Sequence, residues 1–346
     1  MPAPIRTDIG AGALSRIGQL LADQRISASG RVVFVVDERA GRVLEALRDV
    51  VTTDDNLVTV EGASLAAATE AASTITQSHY DALIGVGGGA LLDSAKLISS
   101  RVGLPMVSVA ANLAHDGIAS PVAVLMSNGR RVSFGVSMPV AVVVDTALVR
   151  ESNPRLRRAG IGDVLSNLTS VQDWQMAYAR DADSYDGLSA SMARVAAEAV
   201  MHHPGDIEDE DFLMTLAESL LLSGLAMAGA GSSRPCSGAC HEISHAVDYL
   251  LPEKSSPHGE QVGVGALMSA HLQRDDTLFE RILESLRRHG MPTSPGDLGL
   301  TTDEFVEAVA YAPRTRPARI TVLEILDLTA SDVRREVNDF LRRVSR

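Results

Sequence analysis

Asp163, His241 and His258 are the residues whose types and surroundings best fit a single catalytic divalent ion. Asp163 lies within GIGDVLSN, His241 within SGACHEISHAVDYL and His258 within SSPHGEQVGVG, each in an apolar, helical setting. One carboxylate and two imidazoles fill three positions of a tetrahedral ion and leave the fourth open, as catalytic sites require. A lone buried Asp or His is usually a hydrogen-bonded core residue, whereas three on separate segments argue for a shared ligand. A competing motif overlaps them, because residues 241–245 read His-Glu-Ile-Ser-His, an H-E-x-x-H. In zinc proteases both of those histidines bind the metal and the glutamate activates water. The extended form of that motif fails here, since no Gly-x-x-His follows at the required spacing. The wider context favours His258 over His245 as the partner of His241.

A second candidate is the glycine turn IGVGGGALLDSAK, with Gly87, Gly88 and Gly89 between a strand and a helix. Glycines there let the backbone approach a pyrophosphate, and the helix N-terminus adds N–H donors and a favourable dipole. Many α/β connections need glycine for conformation only. The turn is not a Walker A loop, because the GK[ST] ending is absent. Asp37 closes the run VVFVVD, where a carboxylate either accepts from an adenosine ribose or caps a helix.

The elements that must position these residues alternate through the first half. RVVFVVD, NLVTVEG, YDALIGVGGG and LPMVSVAA read as strands; residues 39–51, LAAATEAASTITQSH and ALLDSAKLISSRVG read as helices. Such alternation implies βαβ units and a parallel sheet. Residues 120–127 and 139–145, separated by NGRRVSFG, predict a ribbon and a return to the sheet. Beyond about residue 150 the strand signal ends and a long helical region begins. The predicted organisation is therefore an α/β domain over residues 1–150 and an all-α domain over 151–346, with the ligand in the cleft between them at the carboxyl ends of the strands.

The chain carries 31 basic and 44 acidic residues, a net charge of −13. That argues against nucleic-acid and anionic-membrane surfaces, which are built from clustered Lys and Arg. No uninterrupted apolar run reaches the length of a membrane span, and MPAPIRTDIGAG shows no secretory pattern. Only two cysteines occur, Cys236 and Cys240, too few for a disulfide framework. The expected location is a reducing cytoplasm.

Together the segments GGGALLDSAK, AHDGIASP, GIGDVLSN with VQDW behind it, GSSRPCSG leading into H-x-x-x-H, and HGEQVGVG resemble the sn-glycerol-1-phosphate dehydrogenase branch of the superfamily that holds iron-containing alcohol dehydrogenases, glycerol dehydrogenases and dehydroquinate synthases. The 17-residue separation of His241 and His258 is also similar to the ligand spacing of glycerol dehydrogenases. The resemblance implies a Rossmann-like N-terminal domain, a helical C-terminal domain, and dimers or larger homo-oligomers. By position it makes Asp163, His241 and His258 the ligands of zinc, nickel or iron, with zinc expected. It makes Asp116 and His245 substrate contacts, and Gly89 to Asp93 and Ser120 contacts of NAD or NADP, beside Gly88 and Asp37 named above. Where the family has Pro-Thr-x-x-Ser, this chain has Ala110 to Ala114, so Ala111 and Ala114 lack two hydroxyls expected near the cofactor. Cys240 replaces the glutamate that usually precedes the first ligand histidine.

The implied reaction is a reversible alcohol–ketone oxidoreduction on a small, phosphorylated molecule. The metal acts as Lewis acid, His245 as proton shuttle or hydroxyl contact, and Asp116 orients a substrate hydroxyl or serves only as a turn residue. A sugar-phosphate cyclase with retained NAD and a non-redox binding protein on the same fold are the alternatives.

Overall fold

The computed structural model describes residues 3–38, 41–47 and 56–345. The chain divides into two compact units, Met1–Arg157 with Ile207–Gly224, and Arg158–Asp206 with Leu225–Arg346. The division thus falls at residue 157, where the sequence suggests about 150, and a helical stretch from the second half belongs to the first unit.

The first unit is built on a six-stranded sheet. Its strands are β1 (Arg6–Ile9), β2 (Val32–Val36), β3 (Leu57–Thr59), β4 (Ala82–Gly87), β5 (Met106–Ala110) and β8 (Ala141–Val144), all parallel, in the order β1-β8-β5-β4-β2-β3. VVFVV, ALIGVG, MVSVA and AVVV are buried at every position. Continuous apolar runs of this kind belong to strands covered on both faces. The intervening helices include α1 (Ile17–Leu21), α2 (Gly41–Ala46), α3 (Leu65–Thr76) and α4 (Gly89–Val102). The helix expected over residues 39–51 is seen as α2; residues 39–40 and 48–51 lie outside the described residues. Phe34, Ile84, Val107 and Val143 pack with Leu14, Ile17 and Leu20 into one core.

From β2 the chain runs out to the edge strand β3, then returns to the other side of β2 to form β4. The order reverses there, and in open parallel sheets ligands bind at the carboxyl ends of the strands flanking such a reversal. Between β5 and β8 the expected ribbon is an antiparallel pair, β6 (Val122–Ser127) and β7 (Arg130–Gly135). Asn128 and Gly129 join it with φ of 51° and 74°, the backbone of a two-residue turn whose twist matches a hairpin.

After α5 (Thr146–Glu151) the described elements with regular geometry are helical: α6 (Pro154–Leu165), α7 (Asn167–Tyr178), α8 (Gly187–His202), α9 (Glu210–Ala230), α10 (Ala239–Leu250), α11 (His258–Leu272), α12 (Asp276–Arg288), α13 (Thr302–Tyr311), α14 (Val322–Leu326) and α15 (Ala330–Val344). Helix α9 is long and apolar enough to cross a membrane, but 61% of its most apolar stretch is buried inside the protein. Glu218 also interrupts it, as fits a core helix rather than a span.

Candidate functional site

The metal-ligand candidates all lie in the second unit, on three helices. Two glycines set how closely those helices meet. A Cβ on Gly259 of α11 would stand 1.8 Å from the carbonyl oxygen of Ala159 on α6, and one on Gly162 would stand 2.1 Å from the carbonyl oxygen of Gly259. No side chain fits at either position, so α6 and α11 touch backbone to backbone. Asp163 follows Gly162 and His258 precedes Gly259, and the contact therefore brings carboxylate and imidazole together. Helix α10 supplies His241 from its first turn.

Asp163 Oδ1 lies 3.7 Å from His241 Nε2 and 3.7 Å from His258 Nε2. One ligand atom from each residue falls within 4.8 Å of the others. These separations exceed a hydrogen bond. They suit a shared ion, because two ligand atoms about 2.1 Å from a tetrahedral centre stand about 3.4 Å apart. The imidazoles are also prepared as ligands. Ser244 donates its hydroxyl proton to Gln261 Oε1 at 3.0 Å and stands 3.3 Å from His258 Nδ1. With that proton committed, the serine oxygen accepts from Nδ1–H, which leaves the lone pair on His258 Nε2 facing Asp163. Gln261 is fixed in turn by donating to the Ser256 carbonyl at 2.9 Å. His241 Nδ1 contacts Cys240 Sγ at 3.4 Å. Burial, then the charges of His258 and Arg316, hold His241 well below the usual imidazole range, so it is neutral. Burial pushes the Cys240 thiol up, and it stands beside the ligand as a neutral group.

The H-E-x-x-H pairing does not form the cluster. The His241 and His258 rings are 5.1 Å apart, and those of His241 and His245 are 6.5 Å apart. Glu242 is fully buried and accepts from Thr321 Oγ1 at 3.1 Å. Burial and the nearby Glu324 and Asp173 push its carboxyl up to about 9. A protonated acid tied to Thr321 does not activate water at neutral pH. His245 instead meets Arg316, whose Nη2 lies 3.0 Å from His245 Nε2. The guanidinium has only donors, so His245 Nε2 is the acceptor and the imidazole carries its proton on Nδ1.

Sequence reasoning missed Asp173, the acid of VQDW. It is fully buried and accepts from the backbone N–H of Ala239 at 2.7 Å, that of Val322 at 3.0 Å, and Gln273 Nε2 at 2.8 Å. It caps the start of α10 and so fixes the turn that carries His241. Its burial was the signal: an acid between two apolar stretches on a helix.

The cofactor candidates lie in the first unit. Helix α4 begins directly after β4, with Gly88, which has no side chain to cap it, at its N-cap. A helix start of that kind fits the pyrophosphate of a dinucleotide. A Cβ on Gly88 would lie 2.7 Å from Asn112 Nδ2, and one on Gly89 would lie 2.0 Å from His115 Nε2. Asn112 and His115, which sequence reasoning passed over, thus line the turn. Asn112 Oδ1 also accepts from the Ala114 N–H at 3.2 Å, and the Ala111 N–H donates to the Gly87 carbonyl at 2.9 Å. Asp37 follows β2, the strand paired with β4, so it and Gly88 flank the order reversal in the sheet.

Two further positions are occupied differently. Asp93 accepts from the Val124 N–H at 2.9 Å and pairs with Lys96 at 2.9 Å. Lys96 is completely buried, 3.3 Å from Ser120 Oγ and 3.2 Å from the Ser120 carbonyl. Asp93 and Ser120 therefore spend polar atoms on tying β6 to α4. Asp116, heading the short turn Asp116–Ile118, sits in the same neighbourhood, where burial pushes its carboxyl up against the opposing pull of His115 and Lys96.

The family described as iron-containing alcohol dehydrogenase matches residues 8–153. The chain is 34% identical over 341 residues to a glycerol-1-phosphate dehydrogenase [NAD(P)+] of Archaeoglobus fulgidus, covering 95% of each. It is 35% identical over 306 residues to one of Thermococcus kodakarensis, covering 87% of this chain and 86% of that protein. Among solved structures, a probable glycerol dehydrogenase from Sinorhizobium meliloti 1021 superposes with a TM-score of 0.80 at 24% identity, over 99% of this chain and 98% of the other.

Proposed function

The chain belongs to the glycerol-1-phosphate dehydrogenase branch of the iron-containing alcohol dehydrogenases, and from that premise we propose that it interconverts a small phosphorylated ketone, dihydroxyacetone phosphate first among candidates, and its alcohol. Ketone, NAD(P)H and one proton give alcohol and NAD(P)+. The observation that carries this reading is the equal 3.7 Å approach of the Asp163 carboxylate to two imidazoles, one of them oriented through Nδ1 by Ser244. Asp163, His241 and His258 hold the ion, and a carboxylate with two imidazoles suits zinc. When bound, the ion supplies Lewis acidity at the substrate oxygen and the nicotinamide supplies or accepts the hydride.

The residues of the chain do the rest. The α4 N-terminus at Gly88 and Gly89 receives the pyrophosphate, with Asn112 and His115 beside it. Asp37 accepts from the adenosine ribose and disfavours a 2′-phosphate, so NADH is the preferred donor. Asp93 and Ser120 are positioning residues that hold the α4 helix. His245, with its proton on Nδ1, donates a hydrogen bond to a substrate hydroxyl rather than carrying protons. Asp116 keeps its assignment to a substrate hydroxyl on the strength of its place in AHDGIAS. Two buried cysteines that form no disulfide fit a reducing cytoplasm.

The test combines metal analysis of the purified protein with nicotinamide absorbance during incubation with phosphorylated ketones. Expected are one divalent ion per chain, lost in Asp163→Ala, and oxidation of NADH by dihydroxyacetone phosphate. Unchanged metal content in Asp163→Ala, or no ketone-dependent absorbance change, defeats the reading.

A further inference from the structure

Three arginines converge on the GSSRPCSG loop that leads into α10. Arg234 is paired with Asp183. Arg316 and Arg319 form no ion pair among the described residues. Arg316 donates to Ser237 Oγ at 2.8 Å and lies 3.4 Å from Ser233 Oγ. Arg319 donates to Ser233 Oγ at 3.0 Å and to the Ser237 carbonyl. Both guanidiniums therefore share the same two serines, as like charges held close together with neutral partners. Both side chains remain partly accessible. Burial lowers the Arg316 pKa and brings that of Arg319 down to about 9, with Glu242 pulling both the other way.

The location narrows what they serve. Arg316 touches His245, and the His245 ring lies 6.4 Å from that of His258. One imidazole thus separates the guanidinium from the metal-ligand cluster. A short molecule with a carbonyl at one end and a dianion at the other reaches both. We propose that Arg316 and Arg319, presented by Ser233 and Ser237, bind the phosphate of the substrate and make this chain selective for phosphorylated over plain ketones. The inference rests on the proposed reaction and names its specificity-determining residues. Two planar forks suit a phosphate better than two ammonium groups would.

The test compares dihydroxyacetone phosphate with dihydroxyacetone, using wild type, Arg316→Met, Arg319→Met and Arg319→Lys. Removing one guanidinium is expected to raise KM for the phosphorylated ketone by roughly tenfold to a hundredfold, while kcat/KM for dihydroxyacetone falls far less. Arg319→Lys should fall between, because it keeps the charge and loses the fork. Inorganic phosphate should raise the melting temperature of wild type and inhibit competitively against the phosphorylated ketone; both effects should vanish in Arg319→Met. If Arg316→Met does not fold, the two Arg319 variants carry the comparison. Equal losses on both ketones, a change only in NADH against NADPH preference, or phosphate effects retained in Arg319→Met would each overturn the assignment. If wild type reduces no phosphorylated ketone yet phosphate protects it and not Arg319→Met, the proposed reaction fails and the anion site stands; absent protection of wild type sinks the site as well.

Discussion

Removing one hydroxyl that never touches the ion should weaken metal binding. Ser244 Oγ lies 3.0 Å from Gln261 Oε1 and 3.3 Å from His258 Nδ1, so Ser244→Ala deletes two hydrogen bonds. Each nets about 0.5–1.5 kcal/mol, and the metal-free protein should lose about 1–3 kcal/mol of stability. Gln261 keeps its bond to the Ser256 carbonyl at 2.9 Å, which holds the loss toward the lower end. The larger consequence is for His258. Without an acceptor at Nδ1, its proton is no longer directed away from Nε2 and the ring is no longer aimed at Asp163. Loss of such an outer partner typically costs tenfold to a hundredfold in metal affinity, about 1.4–2.8 kcal/mol. Chelator competition for zinc measures the affinity directly. Melting with and without zinc gives an independent reading, because the stabilisation by the ion should shrink by the same 1.4–2.8 kcal/mol at saturating zinc. A folded Ser244→Ala protein binding zinc within about twofold of wild type would refute the tautomer argument.

Three further outcomes follow from the geometry. Glu242 already carries a proton at neutral pH, since its pKa is pushed up to about 9; Glu242→Gln should therefore keep both zinc and ketone reduction, and steady-state assays showing abolished activity would revive a water-activating role. Asp173 has its pKa raised to about 6 from 3.8, chiefly by burial. The native state then keeps a proton that the unfolded chain has lost between those values, so stability falls as pH rises through that window, by about 3 kcal/mol. Denaturant titrations from pH 4 to 7 should show stability falling less in Asp173→Asn than in wild type, by about 3 kcal/mol between about pH 4 and 6, with the part due to Glu242 retained in both; parallel curves count against it. Gly88→Ala places a Cβ 2.7 Å from Asn112 Nδ2 at the start of α4, and calorimetry should show NADH affinity reduced about tenfold or more with zinc content unchanged.

The sheet was legible because its strands are buried on both faces and so read as unbroken Val- and Ile-rich runs, VVFVV and AVVV above all. Strand β1 was not. RTDI is four residues long, mixes charge with a single large apolar side chain, and pairs only with β8, so its register is set by a neighbour 135 positions away. The return of residues 207–224 to the first unit was equally hidden, because helical periodicity records that a face is buried and not what buries it. Charge behaves in the same way. Lys96 lies in a helical segment whose pattern gives no sign of burial, yet its ammonium is completely buried against Asp93 and Ser120. Arg316 and Arg319 stand in a polar stretch whose composition gives no hint of the serines and the imidazole that they meet.

The convergence of the three candidate ligands was more readable than these, and the reason lies in the residues beside the candidates rather than in the candidates. His241 has a rival at His245, one turn along the same helix, and composition alone does not choose between His245 and His258. The choice is made where α6 meets α11. Gly162 and Gly259 are positions at which those backbones touch, and each adjoins a candidate ligand. The closeness that excludes a Cβ also carries Asp163 to His258, while His245 meets Arg316. Glycine in GIGD and HGEQ thus encodes an interhelical distance, and that distance brings the proposed third ligand, His258, to Asp163. The same packing bears on the Cys240 substitution: the thiol sits against His241 Nδ1 and Ser170, behind the imidazole rather than among the three ligand atoms. Its effect is therefore expected on the basicity and aim of His241, leaving the ligand set as the helices define it.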